Sequence, residues 1–175
     1  MVRVCNPLTE KDIHVFLAGG ISNCPDWQSE VIDRLKNDEF LKSMNNIVID
    51  NPRREFFDVS QEDDVLLQSE KDQIEWEFDK LESCDIFSIY FCNSSSVQPI
   101  CMYELGRNIV RMQEKFPHDW QIRIVISVED GYIRKKDVLL QSELALGGLN
   151  VFVNQHATPE SHSKYIVDAI RCLVE

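Results

Sequence analysis

Basic residues are scarce in this chain. Against 30 acidic side chains, its 175 residues set only 18 lysines and arginines, a formal charge of −12. A surface of that sign repels a phosphate backbone, so no nucleic acid is expected as a partner and a small molecule is. Glycine is scarce too, with six in all. None forms a G-x-G-x-x-G fingerprint or a P-loop, which argues against an ordinary dinucleotide or nucleoside triphosphate binder. No apolar run approaches the roughly 18 residues of a membrane span, and no basic segment followed by an apolar core opens the sequence, so no membrane association or export is expected. The cysteines (Cys5, Cys24, Cys84, Cys92, Cys101 and Cys172) include no CxxC pair and no zinc-type spacing. They read as reduced and mostly buried, which points to the cytoplasm. Of the four scattered histidines, His156 and His162 lie in a stretch with proline and serine and are expected to be solvated. No metal and no cofactor are expected. With no repeat, low-complexity tract or Gly/Ser linker, residues 1–175 read as a single domain, long enough to bury about 70% of its unfolded surface.

What is present alternates. Ile13–Ala18 is a short apolar run closed by Gly19-Gly20. A helix is expected after Pro25, with Asp26 as N-cap and Trp27, Val31, Ile32 and Leu35 as its apolar stripe. Ile47–Ile49 reads as a second strand, followed by Asp50-Asn51-Pro52-Arg53-Arg54 and a polar stretch to about residue 63, where Asp58, Ser60 and Asp64 are turn or cap candidates. A long helix is expected over Asp64–Ser83, with Leu67, Ile74, Phe78 and Leu81 on one stripe and Gln73 and Glu77, one turn apart, on another. Further strands are expected at Ile86–Phe91, Gln121–Ser127 and Leu149–Val153, and further helices from Pro99 to about Phe116, at Arg134–Leu144 and from Pro159 to about Leu173. Continuous apolar strands alternating with helices predict an α/β fold with a parallel sheet covered on both faces. Five strands joined by right-handed crossovers make the flavodoxin-like (Rossmann-like) three-layer order 2-1-3-4-5 the economical choice.

The stretch that organises the rest is Gln98-Pro99-Ile100-Cys101-Met102-Tyr103-Glu104-Leu105-Gly106-Arg107. It reads as the turn from the third strand into a helix. Pro99 suits the first helical position because its φ is preset and its missing N–H has no partner to lose there. In the expected order the topological switch point falls between strands one and three, so Gly19-Gly20 and the segment 92–104 should meet at one pocket. Glu104 then stands one to two turns into the helix, a carboxylate near the carboxyl end of a strand. Its alternative is an ordinary helix-face glutamate followed by a small residue at a packing contact.

Taken together, Phe16-Leu17-Ala18-Gly19-Gly20-Ile21, Asp26-Trp27-Gln28, Asn51-Pro52-Arg53-Arg54, Gln73-Ile74-Glu75-Trp76-Glu77, Asp85-Ile86, Gln98-Pro99-Ile100 and Glu104-Leu105-Gly106-Arg107 resemble, in the same order, the nucleoside 2-deoxyribosyltransferase-like family. The resemblance spans about residues 13–140. It implies the flavodoxin-like fold, a homo-oligomer (dimer or larger) whose active sites borrow residues from a neighbour, and breaking of the N-glycosidic bond between base and sugar. By motif, Glu104 matches the family's nucleophile. Such a carboxylate attacks the anomeric carbon to form a covalent glycosyl-enzyme, which water or a second base resolves. Glu77 matches an acidic residue used beside the sugar. Gly19 and Gly20 match the first-strand turn at the ligand.

The remaining candidates come from position. Asn51, Arg53 and Arg54 follow the second strand and can reach a base or a phosphate, or pair with Asp58 or Glu62 at the surface. Asn93 and Ser94, with Ser95 and Ser96, form a loop suited to an anion or sugar. Trp76 can stack on a base or simply pack. The sequence departs from the family in two places: Gln98 stands where an acid protonates the leaving base, and Phe16 where a tyrosine positions the nucleophile. Asp26, Asp50 and Asp85 are possible substitutes for the acid. The leading reading is an enzyme, an N-glycoside hydrolase or (deoxy)ribosyltransferase acting on a nucleoside, nucleotide or related ribosyl compound. Its alternative is a non-catalytic nucleotide-binding module, used as a sensor or partner site.

Overall fold

A computed structural model describes residues 11–54, 68–149 and 151–175. The elements run β1 (Ile13–Gly19), α1 (Trp27–Asn37), α2 (Glu39–Lys42), β2 (Ile47–Asp50), α3 (Gln68–Ser83), β3 (Ile86–Phe91), α4 (Pro99–Lys115), a 3₁₀ turn (Trp120–Arg123), β4 (Ile124–Val128), α5 (Lys135–Ala145), β5 (Val153–Asn154) and α6 (Pro159–Val174). The five strands pair in parallel in the order β2-β1-β3-β4-β5. This is the expected flavodoxin-like α/β sheet.

The central strands are largely apolar because both faces of the sheet are covered, and alternate residues feed two separate cores. Val15, Leu17, Ile86, Tyr90 and Val125 pack with Trp27, Val31 and Leu35 of α1 and Ile166 and Ile170 of α6. Phe16, Ala18, Phe87, Ile89, Phe91 and Ile126 pack with Leu81 of α3, Leu105, Ile109 and Met112 of α4 and Val138 of α5. Asp26 caps α1 as expected, accepting from the Ser29 amide. Asp38 does the same for α2, a single turn too short to show a periodic signal in the sequence.

Several expectations are corrected. The fourth strand begins at Ile124, because residues 120–123 close a 3₁₀ turn after Phe116. The fifth is only Val153–Asn154, with Leu149 and Val151 exposed. On α3, Ile74 and Phe78 are exposed at 55% and 51% while Gln73 is buried at 3%, so the helix turns a polar residue inward. Ile100, on the first turn of α4, is 66% exposed. His162, expected in solvent, is completely buried between the Ser88 and Ser127 hydroxyls, at 2.8 Å from each. Of the cysteines, Cys84, Cys92 and Cys101 are buried, Cys24 is partly so and Cys172 is exposed. Residues 1–10 with Cys5, and the candidates Asp58, Ser60, Glu62, Asp64 and Leu67, lie outside the described residues. Among the described residues no helix is long and apolar enough to cross a membrane.

Candidate functional site

Strands β1 and β3 run side by side, with Gly19 in register with Tyr90, and the chain leaves them in opposite lateral directions, β1 toward β2 and β3 toward β4. That divergence opens a crevice at their carboxyl ends. The pocket there is lined by Phe16, Ala18 and Gly19 through Ser22 from the β1 side, by Pro52 after β2, by Glu77 of α3, and by Ser96, Gln98 to Cys101 and Glu104 from the β3–α4 side. The Gly-Gly turn and the Gln98 segment therefore meet as expected.

Glycine is needed at both turn positions, for different reasons. Gly19 has φ +148, and a Cβ there would lie 2.4 Å from the Tyr90 carbonyl oxygen and 2.5 Å from the Trp27 ring. At Gly20 the obstruction is side chain: a Cβ would stand 2.4 Å from Cys24 Sγ and 2.7 Å from Gln98 Cδ. The Trp27 indole N–H donates to the Gly20 carbonyl at 3.1 Å, tying the turn to the first helix.

Gln98 is the N-cap of α4, in the left-handed conformation (φ 50, ψ 54), with Pro99 at the first helical position. Its amide N–H donates to Ser96 Oγ at 3.2 Å, and its Nε2 donates to the Cys92 carbonyl at 2.8 Å and to Ser94 Oγ at 3.4 Å. The side chain is 3% exposed, and its Oε1 has no hydrogen-bond partner among the described residues.

Glu104 and Glu77 reach the pocket from two different helices. Burial pushes the Glu104 carboxyl up to about 7; the Glu77 charge adds to the rise, and the Arg107 guanidinium opposes it. Burial likewise raises Glu77, against the Gln73 hydrogen bond and the Arg54 charge. Two desolvated carboxyls in one crevice, Glu104 raised further by the charge of Glu77, are the arrangement acid–base and nucleophilic chemistry require. The small residue after Glu104 is no packing contact, since a Cβ on Gly106 would meet nothing within 4 Å.

The other candidates fall around the pocket rather than in it. Arg53 is a clamp: it donates to Gln28 Oε1 and the Pro25 carbonyl at 2.9 Å each, reaches the Ile21 and Cys24 carbonyls at 3.4 Å, and pairs with Asp26 at 3.2 Å. It thereby holds the loop that carries Ile21 and Ser22. Asn51 accepts from the Arg53 amide at 3.0 Å. Arg54 bears on the site through its charge on Glu77. Trp76 stands behind Phe16, with ring centroids 6.4 Å apart. The Asn93 amide donates to Glu129 at 2.6 Å, and Ser94 supports Gln98 and meets Cys24 Sγ at 3.3 Å.

The aspartates considered as substitute acids are engaged elsewhere. Asp26 caps α1. Asp50 is held by Lys80 at 2.9 Å and His14 at 3.0 Å, and Asp85 accepts from the His14 amide at 3.1 Å. Phe16, Ile21, Ser22, Pro52, Ser96, Ile100 and Cys101 complete the lining. Phe16, Pro52 and Ser96 belong to stretches the sequence already singled out; the others were legible only as neighbours of the Gly-Gly and Gln-Pro motifs. Among the described residues no group of three or more His, Cys, Asp or Glu side chains is placed to hold a metal ion.

No curated protein sequence matches the chain significantly. The family model described as nucleoside 2-deoxyribosyltransferase like covers residues 12–118, more than half of the chain and every side chain of the pocket just described, and the chain belongs to that family.

Proposed function

We propose that this protein cleaves or exchanges the N-glycosidic bond of a nucleoside, nucleotide or related ribosyl compound, with Glu104 as nucleophile and Glu77 supporting it. The observation that carries the reading is the convergence of these two carboxyls, from α4 and α3, on a crevice at the switch point of the sheet. In its carboxylate form Glu104 attacks the anomeric carbon as positive charge develops there, giving a glycosyl ester. Water resolving that ester makes a hydrolase; a second base makes a transferase. In this reading Glu77, which accepts a hydrogen bond from Gln73, hydrogen-bonds a sugar hydroxyl or takes the proton of the incoming water. A homo-oligomer, a cytoplasmic location and a single domain over residues 1–175 belong to the same proposal.

Intact-mass spectrometry tests it. The wild type and Glu104→Ala are incubated with a pool of nucleosides, deoxynucleosides and their monophosphates. A glycosyl mass gain in the wild type that is absent from the variant supports the covalent route, and its size names the sugar. Ligands that raise the melting temperature with no adduct and no released base would replace the enzyme with a binding module.

A further inference from the structure

Resting on the N-glycosidic reading above, we infer that the pocket takes N-glycosides whose base already carries a positive charge, an N-alkylated purine or a pyridinium, and that Gln98 Oε1 accepts a hydrogen bond from that base.

The first observation is the fixed direction of the Gln98 amide. Its nitrogen faces the Cys92 carbonyl at 2.8 Å, and a carbonyl only accepts, so the NH₂ end is settled and the oxygen is the other end. That oxygen lies over the Gly-Gly turn, where a Cβ on Gly20 would come within 2.8 Å of it. It is buried and unpartnered among the described residues, and both Gln98 and Gly20 line the pocket. A buried acceptor left in this state is costly, and a ligand N–H relieves that cost. Gln98 therefore receives a proton donor and has no acidic proton of its own to give.

The second observation is the charge of the lining. Its ionisable side chains among the described residues are Glu77, Glu104 and Cys101, and burial raises the Cys101 thiol far beyond neutrality. The Arg54 and Arg107 charges that temper the two carboxyls do not line the pocket. A neutral ligand strips water from this acidic pair without compensating it. A cation supplies the missing charge and draws Glu104 into the carboxylate form that attack requires.

The chemistry then balances without a leaving-group acid. A Glu104 carboxylate oxygen bonds to the anomeric carbon as the C–N bond breaks; the electron pair passes to the ring nitrogen and cancels its positive charge, and the base leaves neutral. Water attacks the anomeric carbon, its proton passes to the Glu77 carboxylate, and Glu104 departs as a carboxylate. A neutral base leaves as an anion or takes a proton, and an amide at position 98 withholds a contribution of about 10²–10⁴ in rate.

The test compares kcat/KM of the wild type for 7-methylguanosine and nicotinamide riboside with that for guanosine and uridine. The expected preference for the cationic pair is roughly 100-fold or more, and Gln98→Glu is expected to narrow it by about tenfold by raising turnover of the neutral pair. The wild-type ratio decides the matter even where the variant does not fold. Equal turnover of both classes, or a preference for the neutral pair, overturns the cationic class and leaves the Glu104 chemistry standing. Cleavage of none of the four overturns both.

Discussion

Gln73 reaches across one helical turn to Glu77, its Nε2 donating to the carboxylate at 2.5 Å and to the Pro52 carbonyl at 3.0 Å. One buried amide thus ties α3 to the segment after β2 and fixes the carboxylate that holds up Glu104. Because the Glu77 charge is the second cause of the Glu104 rise, Glu77→Gln is expected to lower the Glu104 pKa from about 7 toward the ordinary carboxylate value of 4.5 without reaching it, since burial remains the first cause. Titration by carboxyl-selective NMR of the two proteins measures this directly. An unchanged Glu104 pKa would mean that the two carboxyls do not sense each other.

The same pair sets a pH dependence of stability. Glu104 binds its proton more tightly folded than unfolded, so its contribution is fully present below about pH 4.5 and is lost as pH rises through about 7. A tenfold difference in proton affinity between the two states is worth about 1.4 kcal/mol, which makes the loss on the order of 3 kcal/mol for this largely buried group. Glu77, also raised, acts in the same direction. Denaturant unfolding from pH 4.5 to 8 should therefore show the Glu104→Gln variant gaining on the wild type as pH rises. A constant difference across that range refutes the assignment.

His162 acts with the opposite sign. Burial alone pushes its pKa down to about 3 from 6.5, so its contribution is present above pH 6.5 and is lost as pH falls toward 3. Its ring bridges Ser88 Oγ and Ser127 Oγ, and His162→Leu strands both hydroxyls, at a cost of about 1–3 kcal/mol each. The variant should be clearly less stable than the wild type near pH 7.5, with the gap closing by pH 4.5, where the wild type alone carries the cost of keeping a buried imidazole neutral. Urea midpoints at the two pH values read this out.

His162 also marks the limit of what the sequence makes legible. The sheet could be read because its central strands β1, β3 and β4 are mostly buried apolar residues, and the pocket because the switch point follows from strand order. The histidine's partners sit on β3 and β4, 74 and 35 residues away, a pairing that no local pattern carries. Arg53 is similar, since its acceptors are carbonyls of a loop more than 25 residues earlier. On α3 the hydrophobic pattern pointed the wrong way. Ile74 and Phe78 look outward and Gln73 inward, where its amide holds Glu77 and the Pro52 carbonyl. The i, i+4 spacing of Gln73 and Glu77 was the sequence signal for that contact. For Gln98 the sequence showed an amide in place of an acid, and only the Cys92 carbonyl shows which end of that amide is the nitrogen.

Gly20 separates the needs of the fold from those of the site. A methyl group at Gly19 meets the Tyr90 backbone oxygen at 2.4 Å in a left-handed conformation, so Gly19→Ala is expected to lose more than about 2 kcal/mol. A methyl group at Gly20 meets only side chains, Cys24 Sγ and the end of Gln98, with no backbone strain. The cheapest relief is for Gln98 to swing away, which breaks its bond to the Cys92 carbonyl and displaces its oxygen from the pocket. Gly20→Ala is therefore expected to melt within a few degrees of the wild type while kcat/KM for glycosidic cleavage falls about tenfold or more through misplacement of the base. Melting curves and initial rates on the two alanine variants separate these effects. A Gly20→Ala protein with wild-type kcat/KM would show that Gln98 does not touch the substrate.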